Sequence, residues 1–389
     1  MMNNLNNLDF TKIKNVILRV DFNVPIDQNF NIQDFTRINR SRETIEKLYT
    51  NNCKILLLTH LGRPNAIFEE KYSLKNIYLQ IAKELNKDIQ FISYEEFQKN
   101  SLSKFHDAKD GIFLLDNIRF LAGEKENDSA LSNIFTQNMN LYVNEAFSAA
   151  HRSHASVDQM AKNILSCPGI NFLKEIEAIE SIKKMDGKSF AIIGGSKVST
   201  KIEALLSLVK SCSNIFIGGA MANNFLKFQD FHVSSSLVEE NIDIKVKAIL
   251  HEAAKNQCKI HLPQDVVIDS GHEILVQNLN NNLDFKIFDI GSQSINTIKN
   301  IIKDSDVILW NGPLGMIENT KFTKGSLDVA KYLSKSHSKV IVGGGDTLLA
   351  LNIAQLDSRD FYFVSTAGGA FLEALEDKVL PAVNALAIQ

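Results

Sequence analysis

Short, almost wholly apolar runs alternate with amphipathic stretches along this chain. Val16–Val20, Ile55–Leu58, Ile112–Leu115, Ala191–Ile193, Ile215–Ile217, Val307–Leu309 and Val340–Val342 are the runs. Their length and continuity fit parallel strands buried on both faces. Between them, Arg37–Tyr49, Leu74–Leu85, Ser199–Val209, Glu239–Lys255 and Ser326–Leu333 carry apolar residues at helical spacing. The alternation predicts an α/β fold with right-handed crossovers and parallel sheets. Ligands of such sheets sit beyond the carboxyl ends of the strands, where helices begin. Asn171–Met185 (NFLKEIEAIESIKKM) reads as one further amphipathic helix, closed by Asp186-Gly187. We take 171–186 as a connector between an N-terminal domain, 1–170, and a second domain beginning at 187.

Composition changes this picture in two respects. With 389 residues, 44% of them hydrophobic, the chain is long enough for two cores. A net charge of -3 and a pI near 6.3 argue against nucleic-acid binding through bulk positive charge. The start, MMNNLNNLDF, has no apolar core and does not read as a signal peptide. No apolar run approaches the roughly 20 residues that span a bilayer. The cysteines, Cys53, Cys167, Cys212 and Cys258, are scattered without metal-ligand spacing. They read as free thiols of a reducing, cytoplasmic environment.

Arginine and glycine divide the chain. Seven of eight arginines lie before residue 153, whereas 15 of 19 glycines lie from Gly187 onward. Arginine suits bidentate capture of carboxylate and phosphate. Glycine turns let backbone N–H groups approach phosphates. An anion site built of side chains is therefore expected in the first half, and a nucleotide site built largely of backbone in the second.

In the second half, AIIGGSKVSTK runs from strand to helix through Gly194 and Gly195. Lys197 and Lys201, four apart, would share a helix face and hold phosphate at its N-terminus. The GxxxxGK[ST] spacing of a Walker A loop is missing. Similar turns follow at Gly218-Gly219, at Gly343-Gly344-Gly345 before Asp346 and Thr347, and at Ala367-Gly368-Gly369. Asp346 reads either as a helix cap or as a ligand of nucleotide-bound Mg²⁺. In WNGPLGMIE, Trp310 is expected in the core, and Asn311-Gly312-Pro313 forms a turn. Glu318 there is either a ribose ligand or an exposed carboxylate.

In the first half, each strand end delivers a cation or a polar group. VILRVDFNVP gives Asp21 and Asn23, on one side at period two. ILLLTHLGRP gives His60 and Arg63, FLLDNIRF gives Asn117 and Arg119, and YVNEAFSAAHRSHAS gives His151, Arg152 and His154. Arg37 heads a helix, while Arg40 and Arg42 read as solvated helix residues. Convergence at one sheet edge would form a pocket for a multiply charged anion.

The stretches RVDFNVP, THLGRP, IRF, AFSAAHRSHAS, GGSKVSTKI, WNGPLGMIE, VGGGDT and STAGGAFLE, in this order from Arg19 to Glu373, resemble the phosphoglycerate kinase family. The resemblance implies two Rossmann-like domains joined by a helix, the second spanning 187–366, with segment 367–389 returning to the first. It implies reversible phosphoryl transfer between 1,3-bisphosphoglycerate and ADP, giving 3-phosphoglycerate and ATP with Mg²⁺, by a monomer. By motif position, Asp21, Phe22, Asn23, Arg37, His60, Leu61, Gly62, Arg63, Arg119 and Arg152 would bind the acceptor. Gly194, Lys197, Lys201, Gly218, Asn311, Glu318, Gly343, Gly344, Gly345, Asp346 and Thr347 would bind the nucleotide, with Asp346 toward Mg²⁺. Arg37, Lys197 and Lys201 would stabilise the transferring group. Glu145 and Ser148 stand where the family usually has Asp and Gly, and Ala382 where Gly is usual. None of these departures is expected to touch a charged ligand group.

An ionised carboxylate acceptor needs no general base. Catalysis then reduces to positioning and charge stabilisation, with closure between domains to exclude water. A dehydrogenase would want GxGxxG after a strand, and no stretch has it. A non-catalytic anion-binding homologue would have no need of the full Arg, Lys, Glu and Asp set.

Overall fold

A computed structural model describes residues 2–184, 188–280, 284–376 and 379–387, so the Asp186-Gly187 turn lies outside the described residues. The chain forms two compact units, Met1–Ile176 with Val379–Gln389, and Glu177–Lys378. The helix read as the connector spans Ile170–Lys183, and the division falls inside it.

The first unit is built on six parallel strands: β1 (Asn15–Arg19), β2 (Lys54–Leu58), β3 (Ile89–Ile92), β4 (Ile112–Leu115), β5 (Leu141–Asn144) and β6 (Ser166–Pro168). Their order is β3-β4-β2-β1-β5-β6. Every residue of β2, β4 and β5 is buried, as continuous apolar runs under helices on both faces require. The charged exception, Lys54, sends its ammonium to the carbonyls of Phe105 (2.8 Å) and Ala108 (2.7 Å). From β1 the chain moves to one side through β2 and to the other at β5. The β1 edge is thus a topological switch point, where such sheets hold ligands.

The expected helix Arg37–Tyr49 is two helices, Thr36–Arg40 and Arg42–Thr50, broken where the Ser41 N–H turns back to Ile38 O. Arg40 and Arg42 are not simply solvated. Arg40 lies 3.7 Å from buried Glu175, and Arg42 donates to the carbonyls of Leu85 and Glu84.

The second unit repeats the architecture with β7 (Ser189–Ile193), β8 (Asn214–Ile217) and β9 (Lys259–His261). A three-stranded antiparallel sheet follows, from β10 (Asp265–Ile268), β11 (Glu273–Leu275) and β12 (Ile287–Ile290). The strands β13 (Val307–Asn311), β14 (Lys339–Gly343) and β15 (Phe363–Val364) complete the unit. The parallel sheet has the order β15-β14-β13-β7-β8-β9, which puts its switch point at β7 and β13. Trp310 is fully buried in β13, with its indole N–H donated to Gly312 O at 2.9 Å.

Only Val379–Gln389 of segment 367–389 belongs to the first unit, where the N–H of Ala382 donates to Ala150 O. The helix Gly369–Leu375 stays in the second unit, held by Ser207 Oγ donating to Leu375 O at 2.6 Å.

The glycine turns at the ends of β7, β8 and β13 interlock. The Gly195 N–H donates to Pro313 O and the Gly219 N–H to Leu314 O. A Cβ on Gly194 would lie 2.1 Å from Pro313 O, and one on Gly219 2.6 Å from the backbone of Gly195. Their primary need for glycine is this close backbone approach. Gly345, Gly368 and Gly369, by contrast, face open space. Gly194→Ala is therefore expected to cost roughly 1–3 kcal/mol or more through forced backbone displacement. Gly345→Ala, with nothing to meet, is expected to cost far less. Urea unfolding of both variants checks the contrast, and equal costs would refute the interlock.

Candidate functional site

In the first unit, the loops after β4, β2, β1 and β5, four neighbouring strands, carry the cations. His60 is buried, and burial together with Arg19, Arg119, Arg152 and Arg37 holds its pKa well below the ordinary imidazole range. Of the arginines expected to converge, Arg37, Arg119 and Arg152 act on this ring, whereas Arg63 acts on Arg119. His154 is pulled down to about 4 by burial and by Arg119, Arg19 and Arg152. Arg119 is lowered to about 10, first by burial and then by Arg152 and Arg19. So much unbalanced positive charge in one place is a site for a strong anion.

Three short loops hold the cluster together. Arg37 Nη1 donates to Asp21 Oδ2 (2.8 Å) and to Asn23 O (3.2 Å). Asn23 Oδ1 accepts the Gly62 N–H at 2.8 Å, and Arg119 Nη1 donates to Gly62 O at 2.7 Å. Asn117 Nδ2 ties Leu61 O (2.7 Å) to Tyr72 O (3.0 Å). Arg152 Nε donates to His151 Nε2 at 3.0 Å, and Arg63 is exposed beside the cluster. Phe22 and Leu61 are core side chains, so only their backbone is near the loops, and the Phe22 N–H is already given to Thr59 Oγ1.

One of the sequence departures does touch this machinery, and a second caps a neighbouring helix. Ser148 Oγ donates to Asp21 Oδ2 at 2.5 Å, which makes it a neighbour of the Arg37–Asp21 pair, contrary to expectation. Glu145 accepts from Thr44 Oγ1 (2.8 Å), Asn171 N (3.1 Å) and Phe172 N (3.2 Å). It thereby caps the first turn of helix Ile170–Lys183, and burial pushes its carboxyl up to about 7. The longer side chain fits because residue 169 is glycine. A Cβ there would lie 1.9 Å from Glu145 Oε2.

In the second unit, Lys197 and Lys201 do not share a helix face. The helix starts at Ile202, and the two lysines sit in the turn before it. Lys201 folds back, its ammonium donating to Gly194 O (2.7 Å) and Asn311 Oδ1 (2.7 Å). Burial pulls its pKa down to about 8, opposed by the charge of Asp346. Lys197 is exposed, and its turn is braced by the Ser199 N–H donating to Glu239 Oε2 at 3.1 Å. The N-cap of helix Gly345–Ile353 is Gly344, without a side-chain cap bond, so Asp346 does not cap it. Its carboxylate is exposed at the helix start, near Lys201.

Asn311 and Thr347 are committed within the protein. Asn311 Nδ2 donates to Gly343 O at 2.9 Å, and Thr347 Oγ1 accepts the Gly312 N–H at 2.7 Å and donates to Gly343 O at 2.8 Å. These two side chains clamp the turns after β13 and β14 against each other. Gly218 continues the ladder by donating to Ile193 O. Glu318 sits on an exposed turn outside this bonded cluster.

The sequence reading gave no role to Arg19, Glu124 or Ser156. All three are buried behind the cation cluster and bonded to one another through Ser156. Arg19, a lone cation inside an otherwise apolar strand, was the available signal.

The comparisons bear on the family and the fold. A model of the phosphoglycerate kinase family matches residues 5–378. The phosphoglycerate kinase of Wolbachia sp. subsp. Drosophila simulans is 39% identical over 384 residues, 96% of each chain. That of Zymomonas mobilis subsp. mobilis is 39% identical over 396 residues, 98% of each. The structure of phosphoglycerate kinase from Coxiella burnetii superimposes with a TM-score of 0.89 at 33% identity over 99% of both chains. That from Pyrococcus horikoshii gives 0.81 at 25% identity, over 99% of this chain and 98% of the other. Matched along nearly its whole length in both sequence and backbone, the chain belongs to the phosphoglycerate kinase family.

Proposed function

We propose that 3-phosphoglycerate binds the cation cluster of the first unit and the adenine nucleotide binds the glycine turns of the second. The chain is a phosphotransferase with a carboxyl acceptor, which reversibly transfers a phosphoryl group between 1,3-bisphosphoglycerate and ADP in glycolysis. The observation that carries the site reading is the set of four arginines around buried His60. In this reading Asp21, Asn23, Arg63, Arg119 and Arg152 hold the acceptor with His60. Phe22, Leu61 and Gly62 shape the loops that carry them.

Arg37 is suited to the transferring group. Nη1 is engaged by Asp21 and Asn23, while its remaining N–H groups make no hydrogen bond among the described residues. Lys201 is the half-buried cation of the nucleotide side. An incoming polyphosphate would supply the counter-charge that its pocket lacks. Lys197, exposed on the same turn, is free to follow the phosphate. Gly345, Gly368 and Gly369, with open space where a Cβ would be, suit backbone contact with phosphate oxygens. Gly343, Gly344, Asn311 and Thr347 then act by fixing these turns.

The exposed carboxylate of Asp346 fits nucleotide-bound Mg²⁺, which takes one or two carboxylates and fills its shell with phosphate and water. Bound there, Mg²⁺ would neutralise phosphate charge during transfer. Acceptor and nucleotide residues belong to different units, so turnover requires closure that brings the substrates in line and excludes water. One chain supplies every residue named, so a monomer suffices. The four cysteines are buried and form no disulfide, which suits a reducing cytoplasm.

A coupled assay of ATP formation from 1,3-bisphosphoglycerate and ADP tests the reading. Arg37→Ala is expected to lower kcat about a hundredfold or more, as loss of a transition-state donor does. Direct titration should find ADP affinity unchanged. Unaltered turnover would remove Arg37 from the chemistry. Lys201→Ala is expected to depress kcat far more than Lys210→Ala, which lies at the far end of helix Ile202–Ser211. Thermal unfolding would accompany both, because Lys201 also serves Gly194 O and Asn311. Equal kinetic losses would count against a role for Lys201.

A further inference from the structure

Behind the acceptor cluster lies a bonded chain that the reading above does not use. Arg19 and Glu124 are each 1% exposed and Ser156 is 0% exposed. Ser156 gives both of its donors to one carboxylate: N–H to Glu124 Oε2 at 2.9 Å and Oγ–H to Glu124 Oε1 at 2.6 Å. With its single proton committed, the hydroxyl accepts from Arg19 Nε at 3.0 Å. Arg19 Nη1 donates to Val20 O, and Nη2 faces His60 Nδ1 at 3.2 Å.

Donor and acceptor counting fixes what lies at the end of this chain. A guanidinium has only donors. The His60 Nδ1 facing it must therefore offer a lone pair. A neutral imidazole with a bare Nδ1 carries its proton on Nε2. An imidazolium would set an N–H against an N–H beside a buried cation. The Nε2 of His60 has no hydrogen-bond partner among the described residues.

We propose that Glu124 and Ser156 are positioning residues for the acceptor site: by holding Arg19 against His60 Nδ1, they fix His60 as the neutral Nε2–H tautomer and so make it a hydrogen-bond donor to the acceptor anion. A neutral donor suits a ring among four arginines, because it adds a bond to the anion without adding a fifth repelling charge. Glu124 supplies the counter-charge that lets Arg19 stay buried, and its attraction also reaches Arg119. A carboxylate is required at 124. An amide there would meet the two Ser156 donors with one acceptor and one donor group.

The proposal rests on the acceptor-site reading, and its test separates the two. Protein labelled with [¹⁵N]histidine is examined by long-range ¹H–¹⁵N correlation near neutral pH, without ligand. His60 is assigned by the resonances lost in His60→Gln. The wild type is expected to show protonated Nε2 and bare Nδ1. Nδ1–H or imidazolium at His60 overturns the proposal without any variant having to fold. Glu124→Gln and Ser156→Ala are expected to bring in the Nδ1–H form. They should also raise KM for 3-phosphoglycerate about ten- to a hundredfold, the worth of one hydrogen bond to a charged group, with KM for ATP unchanged. A tautomer and an acceptor KM that survive both substitutions overturn the role of Glu124 and Ser156. An acceptor KM unmoved in His60→Gln overturns the donor role and the site reading, even where the tautomer is as expected.

Discussion

Like charges repel, and the first unit holds its cations together in spite of this. The parallel sheet makes that possible. Four neighbouring strands end on one edge, so the residue following each is fixed by backbone hydrogen bonds before any side chain interacts. Arg119 loses several of its ordinary degrees of freedom to Gly62 O, and Arg37 to Asp21 and Asn23. Repulsion that would scatter flexible side chains is instead stored as a field. The depressed pKa values of His60, His154 and Arg119 record that field, after burial itself. Two carboxylates keep it from becoming self-defeating: Asp21 at the mouth and Glu124 at the rear.

The second unit is built on a different constraint, the close approach of one backbone turn to another. Its rigidity comes from strand ends too near one another for a Cβ, and from side chains that spend their polar atoms internally. Asn311 and Thr347 matter here as clamps. The groups left uncommitted, Lys197, Asp346 and the open glycines, are then presented on a frame that does not have to reorganise.

The strands were readable because both of their faces are buried. Seven apolar runs mark seven of the strands to within about two residues at each end, and fold class follows from their alternation. The small antiparallel sheet β10–β12 escaped because its strands are short and β11 is half exposed, with only Val266–Ile268 as an apolar run in β10. Helix starts were displaced by tertiary bonds that periodicity cannot register. Glu239, read as the start of a helix, is instead drawn to Ser199, and that helix begins at Asp243. The lysine pair was misread for the same reason. Spacing of four implies a shared face only on a helix, and this helix begins only after the second lysine. The clustered cations were legible because charges at strand ends are chemically conspicuous. The residues that aim them were not, because Glu124 and Ser156 look like ordinary surface residues until Arg19 is placed between strand and loop.

Ser148 shows what a motif reading alone cannot weigh. It stands where the family usually has glycine, and its hydroxyl lies on the same Asp21 oxygen that pairs with Arg37. An additional donor on that oxygen withdraws electron density from the ion pair. Asp21 Oδ2 is thereby shared between Arg37 and Ser148. The side chain in place of glycine thus adds a neighbour to the Arg37–Asp21 pair.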